Sequence, residues 1–235
     1  MSQHTDIVLP VHGALEHVKE CIETLYPHTN NFRLIVVDDM SDEATTEYLR
    51  KEVLPRSTDN LYLRTNRQRW FTRASNLGLM LVRSPRAVLL NSDCVFGDGW
   101  LDELYAVWDE ATAQGHRVAL VGSVLAQSET RRWSAFVRGK QDSSDYVTGH
   151  CLLLEMNVMR ELAAARGTPG IYFNELDQQQ IHIASERWAC WDLQARGWST
   201  IASFHSAVGH KGGKSWGYNL GLIMGLQLRE VDDHY

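Results

Sequence analysis

Short apolar runs alternate with stretches of helical periodicity along the first half of the chain. Residues 6–12, with Ile7, Val8, Leu9, Pro10 and Val11 in sequence, predict a strand. Leu15, Val18, Ile22 and Leu25 then recur at spacings of three and four, which places them on one face of a helix. The β-branched run 32–37 predicts a second strand that ends at Asp38, Asp39, Met40 and Ser41, and 45–54 reads as helical. A strand over 61–64, a helix over 71–82, a strand over 86–90, a helix marked by Leu101, Leu104, Trp108 and Ala111, and a strand over 118–121 continue the alternation. Strand and helix repeated about four times over roughly 120 residues predict an open α/β sheet, with ligands at the carboxyl ends of its strands.

The second half is less regular. A strand over 146–155, a helix over 158–165, a helix over 186–196 stopped by Gly197, and a last strand over 200–204 are expected, followed by a helical tail over 219–229. No repeat or linker composition interrupts the chain, so its 235 residues read as a single domain. It divides at about residue 122 into a first half and a second half reaching 217, with the tail at 218–235.

A charged fraction of 22%, a hydrophobic fraction of 44% and only five prolines describe a folded chain with little room for disorder. The formal charge of −6 argues against a protein that coats nucleic acid. Local arginine clusters remain, at Arg64, Arg67, Arg69 and Arg73 and at Arg131, Arg132, Arg138 and Lys140, although such clusters are usually solvated faces. Cys21, Cys94, Cys151 and Cys190 are widely spaced and form no CxxC pair, so they read as buried thiols of a reducing compartment. With no signal-like leader and no apolar run long enough to span a membrane, a cytoplasmic protein is expected.

The chemistry points to the strand ends. Asp38 and Asp39 follow one apolar run, and Asn91, Ser92 and Asp93 follow another. A carboxylate at the first place suits hydrogen bonds from a base or ribose, and one at the second suits a hard divalent cation between phosphates. Asp also starts turns and caps helices, so each position alone is ambiguous. Two acids at equivalent strand ends favour the ligand-binding reading.

These residues resemble the family 2 glycosyltransferases of the A-type fold, most closely the branch that includes rhamnosyltransferases. The first strand with Pro10 and Val11, the acidic turn at Asp38 and Asp39, the segment 66–78 with Arg73 and Asn76, and Asn91-Ser92-Asp93 followed by Gly99-Trp100-Leu101 match that family in order. So do 148–153 with Gly149 and His150, and 210–217 with His210, Lys211, Lys214 and Trp216.

The resemblance covers about residues 5–217. It implies an open mixed sheet flanked by helices, a nucleotide-sugar-binding first half and an acceptor-side second half. It also implies an inverting transfer from a UDP- or dTDP-sugar. Pro10, Val11, Asp38, Asp39, Arg73, Asn76, Asn91, Ser92, Asp93, Lys211 and Lys214 would then bind donor. Asp93 and His210 would hold Mn²⁺ or Mg²⁺, and Gly149, His150, Trp188 and Trp216 would face the acceptor.

Where the family carries three acids before a helical cysteine, this chain reads Ser185, Glu186, Arg187, Trp188, Ala189, Cys190. Glu186 occupies the position of the general base, which takes the proton of the attacking hydroxyl. A Glu early in a helix also simply favours the helix dipole, and His210 has the alternative of a satisfied core histidine. The acceptor is left open among a glycan, a protein, a small molecule and modified DNA. A catalytically silent nucleotide-sugar binder is the competing class, while a dinucleotide oxidoreductase is disfavoured because no GxGxxG follows the first strand.

Overall fold

The computed structural model describes residues 4–124, 128, 130–137, 146–173 and 185–211. In chain order the first units are β1 (Thr5–Val11), α1 (Leu15–Leu25), β2 (Phe32–Asp38), α2 (Glu43–Tyr48), β3 (Leu61–Arg64), α3 (Trp70–Leu79) and β4 (Arg86–Leu90). Then follow β5 (Cys94–Phe96), α4 (Trp100–Ala113), β6 (Val118–Ser123), β7 (Trp133–Phe136), β8 (Cys151–Glu155), α5 (Met156–Ala165), α6 (Ser185–Ala195), β9 (Ser199–Ser203) and β10 (Val208–His210). The expected tail helix over 219–229, together with Lys214 and Trp216, lies outside the described residues.

Eight strands form one sheet in the order β3-β2-β1-β4-β8-β6-β9-β7, while β10 and β5 make a separate antiparallel pair. The β3-β2-β1-β4 block is parallel, and β8 runs antiparallel between β4 and β6. The sheet is therefore mixed and open, as expected for the A-type fold.

The central strands read as unbroken apolar runs because both of their faces are covered. Ile7, Leu9 and Val11 of β1 enter one buried cluster with Leu34 and Val36 of β2, together with Val18, Ile22 and Leu25 of α1 and Leu104 and Trp108 of α4. Val8 and Ile35 belong to a second buried cluster that also holds Leu79 of α3, Met159 of α5 and Leu193 of α6. Gly78 permits the tight seat of α3, since a Cβ there would lie 2.3 Å from Val8 Cγ1.

Three local outcomes differ from the pattern-based reading. The helix expected over 45–54 is α2 followed by a π turn at Leu49–Val53 and a 3₁₀ turn at Leu54–Arg56, where Pro55 cannot donate to a continuing helix. The strand expected over 146–155 begins only at Cys151, because residues 149–150 form a turn whose His150 carbonyl accepts from Asn91 N at 2.8 Å. The short strands β5, β7 and β10 carry too few residues to show a period. No helix among the described residues is long and apolar enough to cross a membrane.

Candidate active site

Three loops meet at the carboxyl ends of β1, β2 and β3. Asp38 lies at the end of β2, fully buried. Its carboxylate accepts from Ser41 N at 2.8 Å, Thr46 Oγ1 at 2.9 Å, Tyr62 Oη at 2.6 Å and Arg64 Nη1 at 2.8 Å. Burial opposes its ionisation, but the bonds from Tyr62, Ser41 and Thr46 outweigh that effect and hold its carboxyl below the usual range.

Asp39 is equally enclosed. It accepts from Thr65 Oγ1 at 2.8 Å, from Arg69 N at 2.7 and 2.9 Å, and from Trp70 N at 2.8 Å, so it caps the start of α3. The structure thus spends both carboxylates on the protein's own donors. Through these bonds Asp38 and Asp39 shape the loops around the strand ends.

Those loops are strained. Ala14 (φ 55°), Met40 (φ 60°) and Trp70 (φ 66°) adopt left-handed backbone after β1, β2 and β3, a conformation costly for residues with a side chain. His12, which the motif reading passed over, ties two of them together. Its Nδ1 lies 2.6 Å from the Asp39 carbonyl and its Nε2 lies 3.1 Å from Gln68 Nε2. Pro10 and Val11 contribute backbone at this edge, where the Val11 carbonyl accepts from Asp39 N at 2.7 Å.

Asn76, expected on the donor side, bonds backbone groups of the protein itself. It is buried inside α3, and its amide bonds Tyr172 N, Phe173 N and the Phe173 carbonyl at 2.9–3.0 Å, fastening that segment to the helix. Arg73 lies exposed on the same helix.

The second centre is the turn after β4. Asn91, Ser92 and Asp93 connect β4 to β5, and β10 pairs with β5 so that His210 lies opposite Cys94. This pairing brings His210 Nε2 to 3.1 Å from Asp93 Oδ1 and to 3.1 Å from Asn91 Nδ2. Asp93 is 3% exposed, yet its carboxyl is held below the usual range. Burial works against ionisation, and the proximity of His210 outweighs it.

His150, 4% exposed, stacks on His210 with ring centroids 5.1 Å apart and 25° between planes. Burial first, and then the neighbouring His210, push its imidazole down to about 3, so it is neutral at physiological pH. Its Nδ1 lies 3.1 Å from Thr148 Oγ1.

Four buried polar atoms at this centre have no hydrogen-bond partner: Asn91 Oδ1, Ser92 Oγ, Asp93 Oδ1 and His150 Nε2. Of these, Asp93 Oδ1 has the His210 ring in ion-pair contact at 3.1 Å. Leaving such atoms unmet is costly, and here three lie on the turn 91–93 with the fourth on His150 of the turn before β8, a grouping that a bound ligand would satisfy. A divalent cation fits this donor set, because a carboxylate and an imidazole 3.1 Å apart are spaced as neighbours in one coordination shell. No cluster of three or more His, Cys, Asp or Glu that could hold a metal occurs among the described residues. Among the described residues, Asp93 and His210 are the carboxylate and imidazole at this centre that could hold such a cation.

Glu186 arrives from the other side of the sheet. It lies in the first turn of α6, and a Cβ placed on Gly149 would be 3.1 Å from its Cδ and 3.4 Å from its Oε1. The carboxylate therefore packs on the turn that carries His150. Trp188 meets Trp191 edge to face within α6, centroids 5.2 Å apart. Lys211 donates its backbone N–H to the Asp93 carbonyl at 3.1 Å, while its ammonium pairs with Glu20 of α1.

The fold has known counterparts. The mannosyltransferase PcManGT from Pyrobaculum calidifontis, in complex with GDP-Man and Mn²⁺, superposes with a TM-score of 0.62 at 15% identity, over 88% of this chain and 56% of that one. S. aureus TarS 1–349 superposes with a TM-score of 0.59 at 13% identity, over 88% and 59%. Its complex with UDP-GlcNAc gives 0.59 at 14% identity, over 92% and 61%. The chain thus spans less than two thirds of the length of each of these neighbours. No curated protein sequence matches it. The model of glycosyl transferase family 2 matches residues 6–162, and with well over half of its length so matched the chain belongs to glycosyltransferase family 2.

Proposed function

We propose that the chain transfers a sugar, with inversion, from a UDP- or dTDP-sugar to an acceptor hydroxyl. The observation that carries this reading is the set of unpartnered buried atoms on Asn91, Ser92, Asp93 and His150 beside His210. Asp93 and His210 would hold Mn²⁺ or Mg²⁺, which supplies charge stabilisation to the departing diphosphate when bound. Asp38 and Asp39 hold the loops that receive the nucleoside. Glu186, packed on Gly149, accepts the proton of the attacking hydroxyl. The neutral His150 imidazole, stacked on His210, keeps a buried Nε2 without a partner beside this centre. The rhamnosyl-type branch of the family is the finer reading, and dTDP-linked deoxysugars address it directly.

Among the acceptors, the arginines that favoured DNA are partly taken up internally. Arg64 pairs with Asp38, and Arg132 with Glu103 and Glu110. A panel of UDP-, dTDP- and GDP-sugars, scored for Mn²⁺-dependent thermal stabilisation and slow hydrolysis, tests the proposal. A bound nucleotide at a hundredfold excess over its Kd raises stability by about 2.7 kcal/mol. No stabilisation by any member, with or without metal, would refute it.

A further inference from the structure

Arg187 follows Glu186 in α6, and its guanidinium lies among aromatic rings. Arg33, Arg64 and Arg166 each meet a carboxylate, on Asp6, Asp38 and Asp192. Arg187 meets none among the described residues. Its guanidinium carbon lies 4.5 Å from the centroid of Tyr146 and 5.8 Å from that of Trp191. Nη2 donates to Tyr146 Oη at 3.1 Å, while Nε is shielded from solvent with no partner.

Aromatic faces stabilise the positive charge without neutralising it. They leave the planar fork of N–H groups, whose geometry matches a carboxylate or phosphate, largely unused. A partly desolvated cation with an unmet N–H is the complement of an oxyanion.

The segment 146–150 locates this group relative to the chemistry. Tyr146 carries the guanidinium, and Gly149, three residues on, carries the Glu186 carboxylate. Three residues of chain span roughly 10 Å at most. An anion on Arg187 therefore lies within one or two sugar units of a hydroxyl on Glu186.

We propose that Arg187 binds an oxyanion carried by the acceptor, so that the acceptor is an anionic molecule bearing a phosphate ester or a carboxylate. The inference rests on the reading of Glu186 as the acceptor-side base and adds the acceptor's charge class. The cation–π pair with Tyr146 keeps the guanidinium in place before the acceptor arrives.

The test uses the whole chain labelled with ¹⁵N-arginine, with UDP and Mg²⁺ added to occupy the diphosphate site. Phenyl phosphate, benzoate and phenol are titrated separately. The Arg187 Nε–Hε resonance, assigned by its loss in Arg187→Gln, should move saturably with phenyl phosphate or benzoate and stay fixed with phenol. The stronger of the two anions tells a phosphate from a carboxylate acceptor. Calorimetric affinity for that anion should fall at least tenfold in Arg187→Gln and less in Arg187→Lys. A resonance unmoved by both anions, an equal response to phenol, or unchanged affinity in Arg187→Gln would overturn the proposal. Absence of UDP binding would instead count against the donor site, because the Arg187 signal is read independently of it.

Discussion

The Glu186 carboxylate occupies the space where a side chain on residue 149 would begin, 3.1 Å from Cδ to a Cβ built on Gly149. Glycine at 149 thereby sets the position of an acid on a different element, one residue before the buried His150. Replacing Gly149 by Ala should push the carboxylate by a few tenths of an ångström. Metal-dependent donor hydrolysis should fall roughly ten- to a hundredfold, as misplacement of a catalytic group does. Nucleotide affinity and melting temperature should hold, and steady-state rates beside calorimetry on one preparation check this.

Glu186→Gln keeps the shape and removes the base. Turnover should drop about a hundredfold or more, with donor affinity and melting temperature near parental values. A silent binder would show no change, since there would be no rate to lose. Parental turnover in this variant would redirect the search to Glu175 and Asp177, outside the described residues. Asp192 is a weaker substitute because Arg166 already bonds its carboxylate at 2.7 Å.

Metal dependence should pass through Asp93. Titration of UDP with Mn²⁺ should give clearly tighter binding than titration with EDTA, and Asp93→Asn should remove that difference. Equal affinities with and without metal in the parent would take the cation out of the site.

Asp39→Ala should act on stability before binding. Its removal strands the buried Thr65 hydroxyl and the half-buried Arg69 N and Trp70 N, a loss of roughly 1 to 3 kcal/mol by the usual cost of unmet donors. Chemical denaturation should show the shift. A variant as stable as the parent but weak for nucleotide would return Asp39 to direct base recognition.

Asp6 makes the protein sensitive to acid. Burial disfavours its charge, but two bonds from Arg33 at 2.7 and 2.8 Å and the backbone N–H groups of Ser84 and Arg83 hold its carboxyl below the usual range. Because the folded value is depressed, its stabilising contribution is complete above the unfolded value of about 4 and is lost as pH falls through the folded one. Asp6→Asn should be less stable than the parent at pH 7, and the gap should close in acid. Parallel denaturation curves down to pH 2 would show a constant gap if Asp6 made no such contribution.

The sheet was legible because parallel strands buried on both faces leave unbroken apolar runs, as at Ile7 to Val11 and Leu34 to Val37, with helical spacing between them. The acids were legible for the same reason, as polar residues where apolar runs stop. The use of each acid was not, because Asp38 and Asp39 are neighbours in sequence yet bond different partners from β3 and the start of α3. Only the tertiary structure decided that.

The meeting of Asp93 with His210, with 116 positions of chain between them, depends on a three-residue strand pairing too short to leave a period. The stack of His150 on His210, the seat of Glu186 on Gly149 and the aromatic cradle of Arg187 also join residues remote in sequence or brought together by turns. Local pattern therefore determined which elements form and where their ends lie. The chemistry at those ends was decided by long-range packing, because a side chain's hydrogen-bond partners and desolvation depend on what the rest of the chain brings against it.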